Sequence, residues 1–367
     1  MKFTVSQSSL TQALSIVMKG VANTTTLPIL SGVLIDARDG VLEFQTANNT
    51  ISIRHRIAAH VEEEGTIVVP CKMLLNITKT LPDAAVTVES EGRTVHISCV
   101  KSSFRVNALD PDDFLAFPAY ALENAVELPT PVLSDMVSRV VKMTSKDKTR
   151  PIYTGIHMTV ENNVLRLEAT DSYRMCICDT SVETSSLEGE FELLVPAAAF
   201  SDALSIMSGQ GTILIGSTDT QAVFEAEQTT YVARLIEGSF PGLSRLIPTS
   251  SIATVKVAVD TFSTAIHRVA AVSGSGNRMH IEIDPDAGTL VLSSFSDDQD
   301  LAKETIDVEA EGQGGALSLN YHYMLDALAS ASSEENVSFE IPDYKKPCVF
   351  KAYGKVNCLC LIVPMHG

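Results

Sequence analysis

Positive charge is scarce in this chain. Its 367 residues carry 27 Lys and Arg against 45 Asp and Glu, a formal net charge of −18. Such a balance repels nucleic acid at long range, so a simple DNA-binding surface is not the first expectation. Long apolar runs are missing too. No stretch approaches the roughly 20 apolar residues of a membrane span, and "MKFTVSQSSL" holds no run of signal-peptide length. The seven cysteines are an odd count without framework-like spacing. Together these absences point to a reducing, cytoplasmic location with no membrane partner.

Catalytic signatures are equally absent. There is no G-x-S-x-G elbow and no P-loop. The eight histidines show no metal spacing. Cys176/Cys178 and Cys358/Cys360 are C-x-C pairs, whereas zinc favours C-x2-C with His partners; the pairs read as small buried side chains. Asp297, Asp298 and Asp300 form an acidic cluster that a metal-dependent hydrolase could use. They lack the ordered oxygen ligands and glycine of a calcium loop, so a solvated acidic loop is the expectation. The expected class is therefore non-enzymatic, with no cofactor and no metal.

What is present is a threefold repeat. Hydrophobic content of 45% and charged content of 20% are ordinary for globular domains. Three segments carry apolar residues at i, i+3, i+4, i+7 spacing: Leu10, Ala13, Leu14 and Val17 behind a Ser8 cap; Leu133, Met136, Val137 and Val140 behind Thr130-Pro131; Phe262, Ala265, Ile266 and Val269 behind Asp260. Each is followed by a hairpin signal, "DGVLEF" from Asp39, "NNVLRL" from Asn162 and "AGTLVL" from Ala287. A second helix follows at matching distance, "VPCKMLLNITKTL", "VPAAAFSDALSIM" and "LNYHYMLDALASA". Their apolar phase coincides at Leu74, Phe200 and Met324, and again at Leu204 and Leu328, with Thr78 the one polar entry. Alternating segments such as "AVTVES", "TILIGS" and "NVSFEI" close each repeat. The reading is α+β, with three tandem domains over residues 1–124, 125–251 and 252–367.

Against the acidic background, "RVVKMTSKDKTR" is anomalous. It gathers Arg139, Lys142, Lys146, Lys148 and Arg150 around the single acid Asp147. On a helical wheel, Arg139, Lys142, Lys146 and Arg150 fall within roughly 80°, although Pro151 discourages helix at Arg150. Lys72 and Lys79 share a face of a second helix, Lys19 ends a first helix, and Arg268 lies in the equivalent helix of the third repeat. Such residues either form solvated faces or contact phosphates without reading bases. A repeat-built scaffold without DNA is the alternative that the basic segment argues against.

Five stretches carry a resemblance: "MKFTV", "TLPILSGVL", "ATDSYRM", "GSFPGLSRLIP" and "LIVPMHG". With the threefold repeat, they make the chain similar to the bacterial DNA polymerase III beta subunit family, the sliding clamps. The resemblance runs the length of the chain. It implies a DNA-clamp fold and a ring-shaped head-to-tail homodimer, with helices lining the hole and sheets outside. It implies a processivity factor that encircles double-stranded DNA without sequence preference. Its partners would be DNA polymerase subunits, the clamp loader and repair proteins, held through short peptides.

The resemblance also implies sites. A hydrophobic peptide groove would be walled by Thr170, Ser172, Tyr173, Arg174 and Met175, by Pro241, Arg245, Leu246 and Ile247, and by Leu361, Ile362, Val363, Pro364 and Met365, with Val349 nearby and Tyr153 at its edge. A dimer interface would pair Phe104–Leu109, including Arg105 and Val106, with Asp297–Ala302, helped by Ala271 and Val272; Arg105 would face Asp297, Asp298 and Asp300. The chain departs from the family pattern where Ser172-Tyr173 replaces the frequent Gly-His, where His366-Gly367 ends the tail, and where Thr24 stands in place of a DNA-contacting arginine.

Overall fold

The computed structural model describes all residues except 23–24, 121, 123–124, 184–189, 275, 296–300 and 366–367. Its backbone forms two compact units, one of residues 1–131 and 202–235, the other of residues 132–201 and 236–367.

Six helices were anticipated and six α-helices occur among the described residues: α1 (Gln7–Val17), α2 (Cys71–Thr80), α3 (Thr130–Val140), α4 (Ala197–Ile206), α5 (Val259–Ala270) and α6 (Tyr321–Ser330). The predicted apolar stripes are the buried faces: Leu10, Ala13, Leu14 and Val17 on α1, Leu133, Met136, Val137 and Val140 on α3, and Phe262, Ala265, Ile266 and Val269 on α5. All three caps differ from expectation: Thr130 is already the first residue of α3, and its buried hydroxyl has no hydrogen-bond partner among the described residues. Ser6 rather than Ser8 caps α1, accepting from the Ser9 amide. Helix α5 starts at Val259, which places Asp260 in its first turn, where a carboxylate complements the helix dipole. Thr78, the polar entry, is fully buried, and its hydroxyl donates to the Leu75 carbonyl at 3.0 Å. A buried hydroxyl satisfied within its own helix costs the core little.

The hairpins form where the turn pairs lie. Asp39-Gly40 joins Gly32–Arg38 to Val41–Ala47, with φ of 49° and 74°. Asn162-Asn163 joins Gly155–Glu161 to Val164–Thr170, with φ of 50° and 61°. Two successive left-handed residues are what a type I′ turn needs, and Asn, Asp and Gly supply them.

In the first unit, a five-stranded sheet runs His60–Glu63, Lys2–Ser6, Ala85–Glu91, Thr94–Cys99, Ser102–Asn107, and an eight-stranded sheet runs from Ala125–Pro129 to Gly65–Pro70. Helices α1 and α2 pack on each other and on these strands. In the second unit, a nine-stranded sheet runs from Phe191–Pro196 to Glu309–Gly312, and a four-stranded sheet runs Leu301–Asp307, Thr289–Phe295, Arg278–Asp284, Gly315–Asn320. There α5 and α6 pack together over the strands.

The two large sheets are long because repeats share them. The strand after the first repeat's hairpin, Ile51–Ala58, pairs antiparallel with the last strand of the second, Thr229–Arg234. The corresponding strand of the second repeat, Arg174–Ser181, pairs with the last strand of the third, Asn357–Ile362. By the same rule Leu301–Asp307 of the third repeat and Ser102–Asn107 of the first should pair, yet each is an edge strand.

Candidate functional site

The basic segment is not a helical stripe. Helix α3 ends at Val140, a 3-10 turn covers Val141–Met143, and Lys146–Arg150 lie in irregular backbone with a turn at Lys148-Thr149. Arg139 is a correction: it is buried, at 5% exposure, rather than presented to solvent. Its guanidinium donates to Asp135 at 3.1 Å, to the Ser330 carbonyl at 3.0 Å and to Ser333 at 2.7 Å. A cation held this way braces α3 against the end of α6 and reaches no ligand. The helical wheel could not reveal it, because the burying surface comes from residues nearly two hundred positions away.

The remaining cations divide into paired and unpaired. Lys19 bonds Asp202 at 2.7 Å. Arg268 makes a two-point contact with Glu304, which raises the guanidinium pKa and lowers that of the carboxyl. Lys72, Lys79, Lys142, Lys146 and Lys148 are exposed and make no ion pair among the described residues. Arg150 is exposed, donates to Asp147 at 2.9 Å and to the Ser172 hydroxyl at 3.1 Å, and lies over the Tyr153 ring.

Arg150 thereby connects two features that the sequence suggested separately. Lys142, Lys146 and Arg150 line the same cleft of about 530 Å³ as Asp171, Tyr173 and Arg174. The cleft also holds Tyr323 and Asp326 of α6, which sequence reasoning missed; α6 drew notice only for its apolar phase. Arg174 organises this wall. It donates to Asp171 at 3.0 Å, to the Lys142 carbonyl at 2.7 Å and to Asp326, and it stacks over Tyr323 at 4.3 Å. The Asp171 side chain accepts from the amides of Tyr173 and Arg174. Ser172, between Asp171 and Tyr173, has φ of 81°, a left-handed conformation glycine adopts freely and serine does not. The Gly-His departure therefore falls on a backbone position where glycine has a physical reason to occur.

On the other side of the strand pair, Met175, Ile177, Leu361 and Leu243 form a buried cluster with Phe240, Ile247 and Leu359 packed against it. Tyr173, Leu246 and Val363 project from this region, at 60%, 59% and 36% exposure. Pro241 and Arg245 are exposed, Tyr153, Ile247 and Met365 half-buried, and Thr170, Val349 and Pro364 buried. The tail is anchored by the Val363 amide on the Tyr173 carbonyl and the Met365 amide on Ser318. Ile362 is a second correction. It is fully buried and pairs with Arg174, so strand alternation turns it to the face opposite Leu361. The resemblance put Leu361 and Ile362 in one wall, but the strand's period of two turns them to opposite faces.

The two open edges also carry apolar side chains. Phe104 is half-buried, Arg105 exposed and Val106 buried on Ser102–Asn107. Leu109 leaves that edge to bond Val68. An apolar hollow of about 610 Å³ beside Phe104 includes Met73 and Ile77 of α2. On the third repeat, Phe295 and Leu301 are 59% and 57% exposed, Ala271 is exposed and Val272 half-buried. The regular edge strand there is Leu301–Asp307, further along the chain than the expected Asp297–Ala302. Asp297, Asp298 and Asp300 lie outside the described residues, as do Thr24, His366 and Gly367.

The cysteine pairs meet across the strand pair. Cys178 and Cys358 are joined as a disulfide; they are buried, as the sequence suggested, but the pairing was not anticipated. Cys71 and Cys348 remain thiols whose pKa burial pushes up to about 12.

Comparison with known proteins decides the family. Residues 1–118, 127–242 and 244–366 match, in order, the N-terminal, central and C-terminal domains of the DNA polymerase III beta subunit. The chain belongs to that family. The Beta sliding clamp of Staphylococcus aureus (strain COL) is 28% identical over 380 residues, covering 100% of this chain and 99% of its own. That of Synechocystis sp. is 26% identical over 389 residues, with the same coverage. The DNA polymerase sliding clamp of Bacillus subtilis superposes with a TM-score of 0.94 at 28% identity, over 100% of this chain and 99% of that one. As a family member the chain is three tandem clamp domains and a processivity factor of DNA replication, not an enzyme. Among the described residues no helix is long and apolar enough to cross a membrane.

Proposed function

We propose that two copies of this chain join head to tail into a closed ring around duplex DNA, and that clients dock on the wall around Tyr173, Leu246 and Val363. The observation that carries this reading is the strand-pairing rule. Two junctions between successive repeats are made within the chain. Among the described residues the two strands that would make the third each keep one open edge, and a second copy would supply each with its partner. A contact between two different surfaces is heterologous, and it closes when the rotation per subunit allows. Domain limits of 1–124, 125–251 and 252–367 follow, each closing near a family-model boundary.

In the ring, Lys72, Lys79, Lys142, Lys146, Lys148 and Arg150 are the cations we assign to the DNA side, with Lys19 and Arg268 screened by their carboxylate partners. Contacts of that kind are weak, salt-sensitive and sequence-independent, which suits a ring that must slide. Topological enclosure provides the retention. Polymerase subunits, the clamp loader and repair proteins exchange on the apolar wall, where Met175, Leu243 and Leu361 supply a packed floor and the Arg174 and Arg150 side chains offer polar anchors. The cytoplasm is the compartment this role requires.

Two measurements test the reading. Charge reversal at exposed Arg105 (R105E) is expected to weaken the dimer at least tenfold by sedimentation; an unchanged dimer overturns the interface. Retention on closed circular DNA should survive salt that strips the protein from linear DNA, and equal loss from both refutes topological holding. Arg139→Ala should leave that retention unchanged while costing about 2–3 kcal/mol in urea unfolding, since it strips a buried hydrogen-bonded cation from its acceptors.

A further inference from the structure

The second inter-repeat junction holds a chemical feature that the clamp role does not use. Arg174–Ser181 and Asn357–Ile362 lie side by side with Cys176 opposite Cys360 and Cys178 opposite Cys358. Alternation puts all four sulfurs on one face of the sheet. That face is covered by helix: α6 packs on Asn357–Ile362, and Arg139 of α3 brings a guanidinium nitrogen to 3.7 Å from the Cys358 sulfur. All four residues are buried. Cys178 and Cys358 are bonded, with Cα atoms 4.4 Å apart. This is the close, non-hydrogen-bonded type of rung in an antiparallel ladder, at a separation a disulfide spans. The Cys176–Cys360 rung lies two residues along and is of the same type. Its sulfurs are 2.9 Å apart, and that of Cys176 is 3.7 Å from that of Cys178.

We propose that these four cysteines form a two-rung dithiol–disulfide site, in which Cys178–Cys358 is one covalent rung and Cys176–Cys360 closes as the second. Each closure removes two protons and two electrons from a thiol pair. The oxidant is hydrogen peroxide: one thiolate attacks a peroxide oxygen and the O–O bond breaks, giving a sulfenic acid and a hydroxide that takes up the thiol's proton as water. The facing thiol then attacks the sulfenic sulfur, the S–O bond breaks and a second water leaves as the S–S bond forms. The Cys360 contact and full burial hold the Cys176 thiol well above its usual pKa. Closure therefore waits on transient opening of the strand pair. A disulfide in a compartment poised for reduction is a switching element rather than a permanent one.

Tetrathiolate metal binding is the competing chemistry, since Cys176, Cys178 and Cys358 place their sulfurs within 4.8 Å of one another. Metal–sulfur bonds of about 2.3 Å in a tetrahedron need sulfurs separated by roughly 3.8 Å and pointing to a common centre. The Cys176 and Cys360 sulfurs are closer, at 2.9 Å, and four side chains on one face of a ladder lie in a layer.

The site matters for what lies behind it. Met175, Ile177 and Leu361 of the same two strands build the apolar cluster on the opposite face. Cross-links that stop these strands separating stiffen that cluster whatever binds to it, so the inference does not depend on the client reading.

The test uses the full chain, reduced, treated with hydrogen peroxide, then denatured and alkylated for thiol counting by intact mass. Seven cysteines should take up seven labels before treatment. Only Cys71, Cys99 and Cys348 should be labelled after it, with cross-linked peptides joining 176 to 360 and 178 to 358. Both C176A/C360A and C178A/C358A should still close their remaining rung, so either variant suffices if the other fails to fold. The oxidised chain should melt about 10 °C above the reduced one, because a bridge across a sequence separation of 180 closes a long loop. Labelling that stays at seven or stops at five overturns the proposal. So do cross-links to other cysteines, or a zinc ion retained by the four thiols in native mass spectrometry.

Discussion

The two junctions between repeats share one backbone plan and both bury apolar side chains, Ile53 and Tyr231 at the first and Ile177 and Leu361 at the second, but they differ in the polar and sulfur-bearing groups beside them. At the first, Ile51–Ala58 meets Thr229–Arg234 with His55 opposite Thr229 and Arg54 opposite Thr230. The rim is polar: Arg54 donates to the Tyr120 hydroxyl, which bonds Glu225, and His55 bonds Thr229 at 2.9 Å. At the second junction the facing residues are cysteines on one side and Met175, Ile177, Leu359 and Leu361 on the other. Backbone pairing sets the geometry, and side chains decide what a junction is for. The first is a seam. The second has an apolar wall on one face and paired sulfurs on the other, and the tail of the chain passes beside it.

The sharpest way to break this contrast is to empty the apolar face. Ile177→Ala should destabilise the protein by about 3 kcal/mol, from lost burial plus the cavity left behind, measured as a lowered urea midpoint with an unchanged slope. A much smaller loss would mean that the cluster is loosely packed. Next comes the polar rim. Tyr120→Phe should cost about 1 kcal/mol by removing a hydroxyl that links Arg54 to Glu225; no loss would show that solvent replaces that link.

The smallest effect lies in two histidines. Burial lowers the pKa of His55. Burial opposes protonation of His157 too, but hydrogen bonds to Glu168 and Glu192 outweigh it and raise the pKa. The stability linked to His55 is present above the unfolded-state value near 6.5 and is lost as pH falls through its folded pKa. That linked to His157 is present below about 6.5 and lost as pH rises through its folded pKa. Titration by NMR should place the two on opposite sides of the ordinary value. H55Q should flatten the acid side of the stability profile and H157Q the neutral side, and matching titration curves would remove the contrast.

Local patterns were legible where a local rule governs them. Apolar residues at helical spacing are buried in α1, α3 and α5, and Asp39-Gly40 and Asn162-Asn163 sit in left-handed turns because few other residues tolerate that backbone. Patterns that depend on a distant surface were not. Arg139 looked like its exposed neighbours until Ser330 and Ser333 were placed against it. Ile362 looked like Leu361 until the strand register gave it a direction. Tyr323 and Asp326 had no signal, because their cleft is built from three separate segments.

By itself, then, the amino-acid order determined the repeat, the elements, the turn positions and the family, since spacing within a dozen residues encodes each of them or spells out its motifs. Tertiary structure alone decided which cations stay free, which face each wall residue takes and which cysteines meet. Those outcomes depend on register between strands 180 residues apart, and no local preference specifies a register.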